Sequence, residues 1–131
     1  MVATEDHRSE RGSMSAAISN AVVRCTREYT GRGPTKARTY ISPDTITTFL
    51  SDTLTKGERA LADTGEQDQV REMRRAFQRA MRNDLCAEIE KITQREVVAF
   101  FSDNHIDPDM AVEGFVLAPQ ARSENPTQPS A

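Results

Sequence analysis

The stretch SDNHIDPDMAVE concentrates side chains that could do chemistry. It holds Asp103, Asn104, His105, Asp107 and Asp109. If the segment curled, these side chains could converge on a cation or a small ligand. His105 could also act as an acid or base that Asp107 orients. We therefore treat Asn104, His105, Asp107 and Asp109 as candidate binding residues, and an enzyme that uses His105 and nearby carboxylates is one hypothesis.

The same stretch departs from the patterns of known metal and catalytic sites. An EF-hand loop beginning at Asp103 would need glycine at its sixth position and glutamate at its twelfth, where this chain has Pro108 and Gly114. Adjacent residues of a strand point to opposite faces, and no Ser or Cys nucleophile is implicated. We predict no metal ion, no cofactor and no catalytic residue. In the structural alternative, Asp and Asn satisfy turn amides, His105 bonds locally and Pro108 rigidifies a hairpin.

A second candidate is the basic segment GRGPTKAR, residues 31–38. A phosphate-binding P-loop needs GxxxxGK[ST] followed by a helix, whereas this segment follows the C-terminus of a helix and leads toward a strand. Lys36 and Arg38 would share one face of an extended segment, where they and Arg32 could meet an acidic partner or a ligand carboxylate. In the simpler interpretation the glycines and the proline end the helix and turn the chain, and the charges are solvated.

A third candidate is a set of arginines on one side of the longest predicted helix, roughly opposite Met73 and Phe77. The set is Arg71, Arg74, Arg75, Arg79 and Arg82. Such a basic face is usually solvated, and Glu72 offsets part of its charge. If the face binds a partner, an acidic protein surface or RNA phosphate is the expected chemistry.

Composition limits the class of protein. With 131 residues, 37% of them hydrophobic, the chain can bury one modest core. The formal net charge of −3 steers it neither to nucleic acid nor to an anionic membrane. Charges interrupt every apolar run long before the roughly 20 residues of a membrane span, and the N-terminus lacks the apolar stretch of a secretory signal. We expect a soluble cytoplasmic protein in which Cys25 and Cys86, without a CxxC partner, are reduced thiols.

The helices that must position these residues follow from hydrophobic spacing. Apolar residues at three- and four-residue intervals predict a first helix from about residue 14 to residue 30 and a third over about residues 66–93. Thr55 and Glu58 have the spacing of a capping box, which predicts that a short second helix begins there and ends at Gly65. The expected buried stripe of the third helix is Val70, Met73, Phe77, Met81, Leu85, Ile89 and Ile92.

The strands are predicted from β-branched and aromatic residues over 45–50 and from two apolar segments, 97–101 and 111–117, that form a hairpin with a long loop. The element order α-β-α-α-β-β predicts a two-layer α+β fold, in which helices cover one face of a three-stranded sheet. Polar residues 1–13 and 119–131 are expected to be disordered tails around a domain of residues 14–118.

A homodimer is expected because the strand VVAFF is apolar on both of its faces. Helices can cover only one face of so small a sheet, and a two-fold copy is the commonest second layer. We expect Phe115 and Leu117, on the paired strand, to join that contact.

Several stretches resemble one bacterial family, the MpsC family, over roughly residues 14–118. The most specific are GRGPTKARTYI and NHIDPDMAVEGF. The family is named for a component of a Na+-translocating, membrane-potential-generating system. The resemblance implies a non-enzymatic accessory or interaction domain with a protein partner in a membrane-associated assembly and no insertion into the membrane. An RNA- or nucleotide-binding module that uses the basic face is the alternative, although nucleic acid is the less expected partner because the chain has few aromatics for stacking.

Overall fold

The computed structural model describes residues 2–120, and side chains from residue 10 onward. Within residues 2–120 the chain forms three helices and four strands, in the order α-β-β-α-α-β-β. The helices are α1 (Val2–Thr30), α2 (Lys56–Asp63) and α3 (Gln67–Thr93). The strands are β1 (Lys36–Ile41), β2 (Thr45–Ser51), β3 (Val97–His105) and β4 (Met110–Leu117). The predicted α+β class is confirmed.

The sheet is antiparallel with strand order β1-β2-β4-β3, so the prediction of three strands was wrong. The missed strand is β1, whose sequence KARTYI alternates exposed Lys36, Arg38 and Tyr40 with half-buried residues. This alternation is typical of a strand with one face in solvent, but the charged residues of the segment predict a turn instead. A tight turn joins β1 to β2, in which Ser42 N donates to Thr45 O at 2.8 Å.

The predicted hairpin forms, but its loop is short. Strand β3 continues to His105 and β4 begins at Met110, so only residues 106–109 lie between them. The polar character of residues 102–105 predicts a loop, yet each of the four lies opposite a residue of β4 and extends the antiparallel ladder. A β-bulge interrupts β3 between Val97 and Ala99.

Helices α1 and α3 pack together on one face of the sheet, and α2 packs against α3. An apolar core lies between the two layers. Its largest buried members are Ile18, Val22, Ile46, Leu50, Met81, Leu85, Ile89 and Phe115. A smaller cluster under α2 contains Leu54, Ala62, Val70 and Ile106. Cys25 is buried in the main core and Cys86 lies at its margin, both as free thiols.

The first half of α3 buries only part of the stripe that its spacing predicts: Val70 is buried as expected, but the prediction is wrong for Met73 and Phe77. Met73 is 36% exposed and Phe77 is only half-buried, whereas Arg74 and Gln78 are buried. The helix turns this polar side inward because a buried carboxylate of β4, Glu113, lies below it. The stripe holds from Met81 onward, where the sheet beneath is apolar.

Helix α1 begins at Val2 rather than near residue 14. Residues 2–13 contain no proline and several Glu and Arg residues, which suit a helix even without packing. Among the residues with described side chains, 10–13 are exposed and Met14 is the first to pack on the core. At the other end, residues 121–131 of the predicted disordered tail lie outside the described residues.

Candidate functional site

Asp109, one of the predicted binding residues, is committed to holding the fold. Its side chain is nearly buried and accepts hydrogen bonds from Thr53 N at 2.9 Å, Thr53 Oγ1 at 2.8 Å and Leu54 N at 3.0 Å. Arg59 of α2 adds an ion pair at 2.8 Å. One carboxylate therefore ties the β3–β4 turn to the segment between β2 and α2.

Arg32 belongs to the same end of the molecule. Its Nη2 lies 2.6 Å from Asp52 Oδ2, and its Nε donates to Asp52 O at 3.3 Å. Asp52 has φ of +60°, a left-handed conformation that a non-glycine residue adopts only when its surroundings hold it there. Gly31, with φ of +80°, ends α1 through its N–H bond to Arg27 O at 2.8 Å. The first part of GRGPTKAR thus ends a helix and holds a strained corner.

The hairpin residues are dispersed rather than gathered into one site. Asn104 points to the helices, where its Nδ2 donates to Gln78 Oε1 at 2.6 Å. His105 Nδ1 bonds Pro108 O at 2.9 Å, and Asp107 lies exposed in the turn. Within residues 2–120, no group of three or more His, Cys, Asp or Glu side chains is placed to hold a metal ion.

The face of the sheet opposite the helices is open and presents a regular array of side chains. The strand register arranges it in rows that run across the sheet. The first row is Lys36, Ser51, Met110 and His105, and the second is Arg38, Phe49, Val112 and Asp103. The third is Tyr40, Thr47, Gly114 and Phe101, and the last is Thr45, Val116 and Ala99. We call these residues the open face.

The open face combines exposed aromatic groups with opposite charges at its two edges. Tyr40 is 52% exposed, Phe49 41% and Phe101 64%, and the rings of Tyr40 and Phe49 meet edge to face at 6.2 Å. Lys36 and Arg38 lie together on the β1 edge, and Asp103 lies on the β3 edge. A shallow depression of about 370 Å³ lies above Gly114, because glycine has no side chain to pack against the neighbouring Phe101 ring.

The expected contribution of Phe115 and Leu117 to an outer contact was wrong. Both side chains lie on the helix side of β4 and are buried in the core, at 1% and 4% exposure. Their places on the open face are taken by Val112, Gly114 and Val116, the alternate residues of the same strand.

A buried polar cluster lies under the first half of α3. Glu113 of β4 is almost completely buried and accepts hydrogen bonds from Ser102 Oγ and, at 3.2 Å, from Gln78 Nε2. Burial raises the pKa of Glu113 to about 7, against the opposing effects of these hydrogen bonds and of Arg74. Arg74 itself is buried and pairs with Glu58 at 3.3 Å. Sequence reasoning missed this cluster, although Glu113 stands in MAVEGFVL at the period of the buried Ala111 and Phe115.

The predicted basic face of α3 divides into separate environments. Arg74 turns inward, and Arg71 pairs with Asp68 at 2.8 Å. The other three, Arg75, Arg79 and Arg82, line a groove of about 230 Å³ between α3 and β3 together with Gln78, Phe100 and Ser102. We call these six residues the arginine groove.

The fold and these surfaces define a two-layer α+β domain with one covered and one open sheet face. The chain belongs to the MpsC family, described as a Na+-translocating membrane potential-generating system, whose family model matches residues 10–119. This is not known as a family of enzymes. No curated protein and no solved structure matches the chain. In the part of the chain that the structure describes, none of the helices is long and apolar enough to cross a membrane.

Proposed function

We propose that this protein is a non-enzymatic interaction component of the Na+-translocating, membrane-potential-generating system for which its family is named, and that it acts as a homodimer joined through the open face. The family membership supports the association with that system. The observation that carries the homodimer is the self-complementary arrangement of the rows on the open face.

A two-fold axis parallel to the strands, between β2 and β4, relates the rows to themselves. Such an axis stacks β1 of one copy over β3 of the second, and β2 over β4, with each row facing its own counterpart. Arg38 then faces Asp103 of the second copy, Tyr40 faces Phe101, and Phe49 faces Val112. Two sheets packed in this way lie about 10 Å apart with strands within about 30° of alignment, as in β-sandwiches. The charges at the two edges therefore favour one orientation and disfavour its reversal.

The size of the open face predicts a dimer of moderate strength. Each outward residue of a sheet covers roughly 33 Å² of flat area, from the strand spacing and the two-residue repeat, so fifteen residues cover roughly 500 Å² per copy. A standard specific interface buries about 800 Å² of accessible surface per partner. The accessible surface of the open face exceeds its flat area because side chains project from it, which brings the estimate of roughly 500 Å² closer to that value. We expect dissociation to be measurable at micromolar concentrations.

Charge reversal tests the proposed orientation. Sedimentation equilibrium of the wild type at tens of micromolar should give about twice the 14.6 kDa chain mass. R38D and D103R should each weaken the dimer, because each places like charges opposite one another, and the double variant R38D/D103R should restore it. Lys91→Glu, an exposed reversal on the helix side, is the matched control.

Two results would contradict the homodimer. A wild-type mass equal to one chain leaves the open face without a second copy. A double variant no tighter than the single variants means that Arg38 and Asp103 do not meet. Purification of the native protein from detergent-solubilised cells tests the assembly role separately: membrane proteins should co-purify with it, and their absence would contradict that role.

A further inference from the structure

Strand β3 is an edge strand that nothing in the described chain covers. The order β1-β2-β4-β3 leaves its outer edge without a partner along residues 99–105, beyond the bulge. Asp103 is the one acid or base on β3 apart from His105, and Phe101 is the most exposed large apolar side chain of the described residues. Soluble proteins normally protect such an edge, because its free N–H and C=O groups pair readily with another extended chain.

The arginine groove runs beside this edge and is strongly positive. Arg75, Arg79 and Arg82 recur at helical spacing over roughly 10 Å of α3. Among the described residues Arg79 and Arg82 form no ion pair, and Arg75 has only a distant one, with Glu72 at 3.9 Å. The opposite wall is β3 itself, which contributes Phe100 and Ser102.

We propose that the arginine groove and the β3 edge together bind an extended acidic peptide segment of a partner protein, which adds to the sheet as a fifth strand. Main-chain hydrogen bonds to an exposed edge supply affinity in this mode of recognition, and alternate side chains supply specificity. On an added strand, side chains two residues apart lie about 6.8 Å from each other on the helix side. Two acidic residues at that spacing fit within the arginine row, and guanidinium groups bind carboxylates through paired hydrogen bonds.

Other occupants fit this place less well. A second copy that paired through its own β3 would bring two arginine rows together on the same side of a continuous sheet, with like charges facing. Single-stranded nucleic acid needs exposed aromatic rings beside the charges for base stacking. The ring that lines the groove, Phe100, is half-buried and packs on Phe115 at 5.3 Å between ring centres, and exposed Phe101 lies on the opposite face of the sheet. This proposal involves a different surface from the dimer and does not depend on it.

The probe for the test is a fluorescein-labelled heptapeptide in which valine and glutamate alternate, titrated with the full-length protein while anisotropy is measured. We expect saturable binding that weakens as salt is added. Two control peptides separate the contributions. The probe begins and ends with glutamate, and in the first control glutamine replaces its two inner glutamates. In the second control proline replaces the central valine, which removes a main-chain donor and breaks the strand. Each should bind about tenfold more weakly or worse.

Protein variants locate the site. R79E/R82E should weaken the acidic peptide by about tenfold or more and should bind a valine–lysine peptide instead. R71E/K91E, which makes the same change in net charge at two positions of α3 outside the groove, should bind the acidic peptide within about twofold of wild type. Because the side chains of Arg79 and Arg82 are exposed, we expect R79E/R82E to fold normally. A thermal melt of the variant checks this.

The proposal is overturned if the wild type does not bind the acidic peptide or if the glutamine peptide binds equally well. Equal binding of the proline peptide would make the groove a general anion site without strand addition. Equal loss of binding in R71E/K91E and R79E/R82E would show a response to net charge alone.

Discussion

Glu113 offers the sharpest test of how the layers pack, because a buried carboxyl group makes stability depend on pH. Its side chain is 1% exposed, and burial raises its pKa from 4.5 to about 7. The groups that face it are Gln78 and Arg74 on α3 and Ser102 on β3. We predict that Glu113→Gln, which keeps the shape and removes the charge, stabilises the protein at alkaline pH.

The magnitude follows from the two pKa values. The carboxyl group ionises near pH 4.5 in the unfolded chain but keeps its proton to about pH 7 in the folded protein. Between these values the unfolded state binds fewer protons, so the free energy of unfolding falls as pH rises. The loss is complete above about pH 7 and amounts to about 3 kcal/mol, at 1.36 kcal/mol per pKa unit. Below pH 4.5 the group is protonated in both states and adds no pH dependence.

Urea unfolding of wild type and E113Q at pH 5, 6 and 8 measures this effect. The difference between the two free energies cancels the titration of every other group that they share. It should grow from about 1 kcal/mol at pH 5 to about 3 kcal/mol in favour of E113Q at pH 8, because the unfolded carboxyl group is already mostly ionised at pH 5. Glu96→Gln, an exposed control, should show no such growth. A difference that does not change with pH, or an E113Q variant that is less stable at pH 8, would mean that Glu113 is ionised in the folded protein and that the reasoning is wrong.

Three further predictions concern stability. Asp109→Ala should cost roughly 2–4 kcal/mol in urea titration, because four hydrogen bonds and a corner of the fold depend on it, whereas Asp107→Ala should cost less than about 0.5 kcal/mol. Phe115→Ala should cost about 3–5 kcal/mol and half-buried Phe77→Ala clearly less, so equal costs would contradict the placement of the core. A protein of residues 14–118 should melt within a few degrees of full length, since residues 10–13 do not pack, and a large drop in melting temperature would show that a terminal segment is structural.

The elements that could be predicted are those whose side chains follow one period over several turns. Helix α3 was placed to within a residue of its observed Gln67–Thr93, and the capping box that starts α2 forms with both of its hydrogen bonds. Strand β1 was missed because two of its three exposed residues, Lys36 and Arg38, are charged. Its formation depends on pairing with β2, and the local sequence pattern does not reveal that pairing.

The candidate site was predictable only in part. The alternation rule correctly put Lys36 and Arg38 on one face, but Asp103, which we propose faces Arg38 in the dimer, lies three strands away across the open face. The sequence around Asp109 predicts a residue that binds a ligand, but in the structure its carboxylate holds two segments of the fold together. An aspartate that binds a ligand and one that holds the fold look the same in a sequence. Only the hydrogen-bond donors around the carboxylate distinguish them, and here these donors come from a distant segment of the chain.

The position of β4 inside the sheet constrains how the chain can fold during synthesis. The β1–β2 hairpin can form as soon as residue 51 is available, but the second edge of β2 is filled only by β4, after α2 and α3 have been made. Closing that loop costs conformational entropy before the β2–β4 hydrogen bonds form, so joining the two hairpins is the slow, non-local event. Until β4 is available the β1–β2 hairpin has one unpaired edge, and the hydrogen bonds of Asp109 to Thr53 and Leu54 cannot form before residue 109 is made.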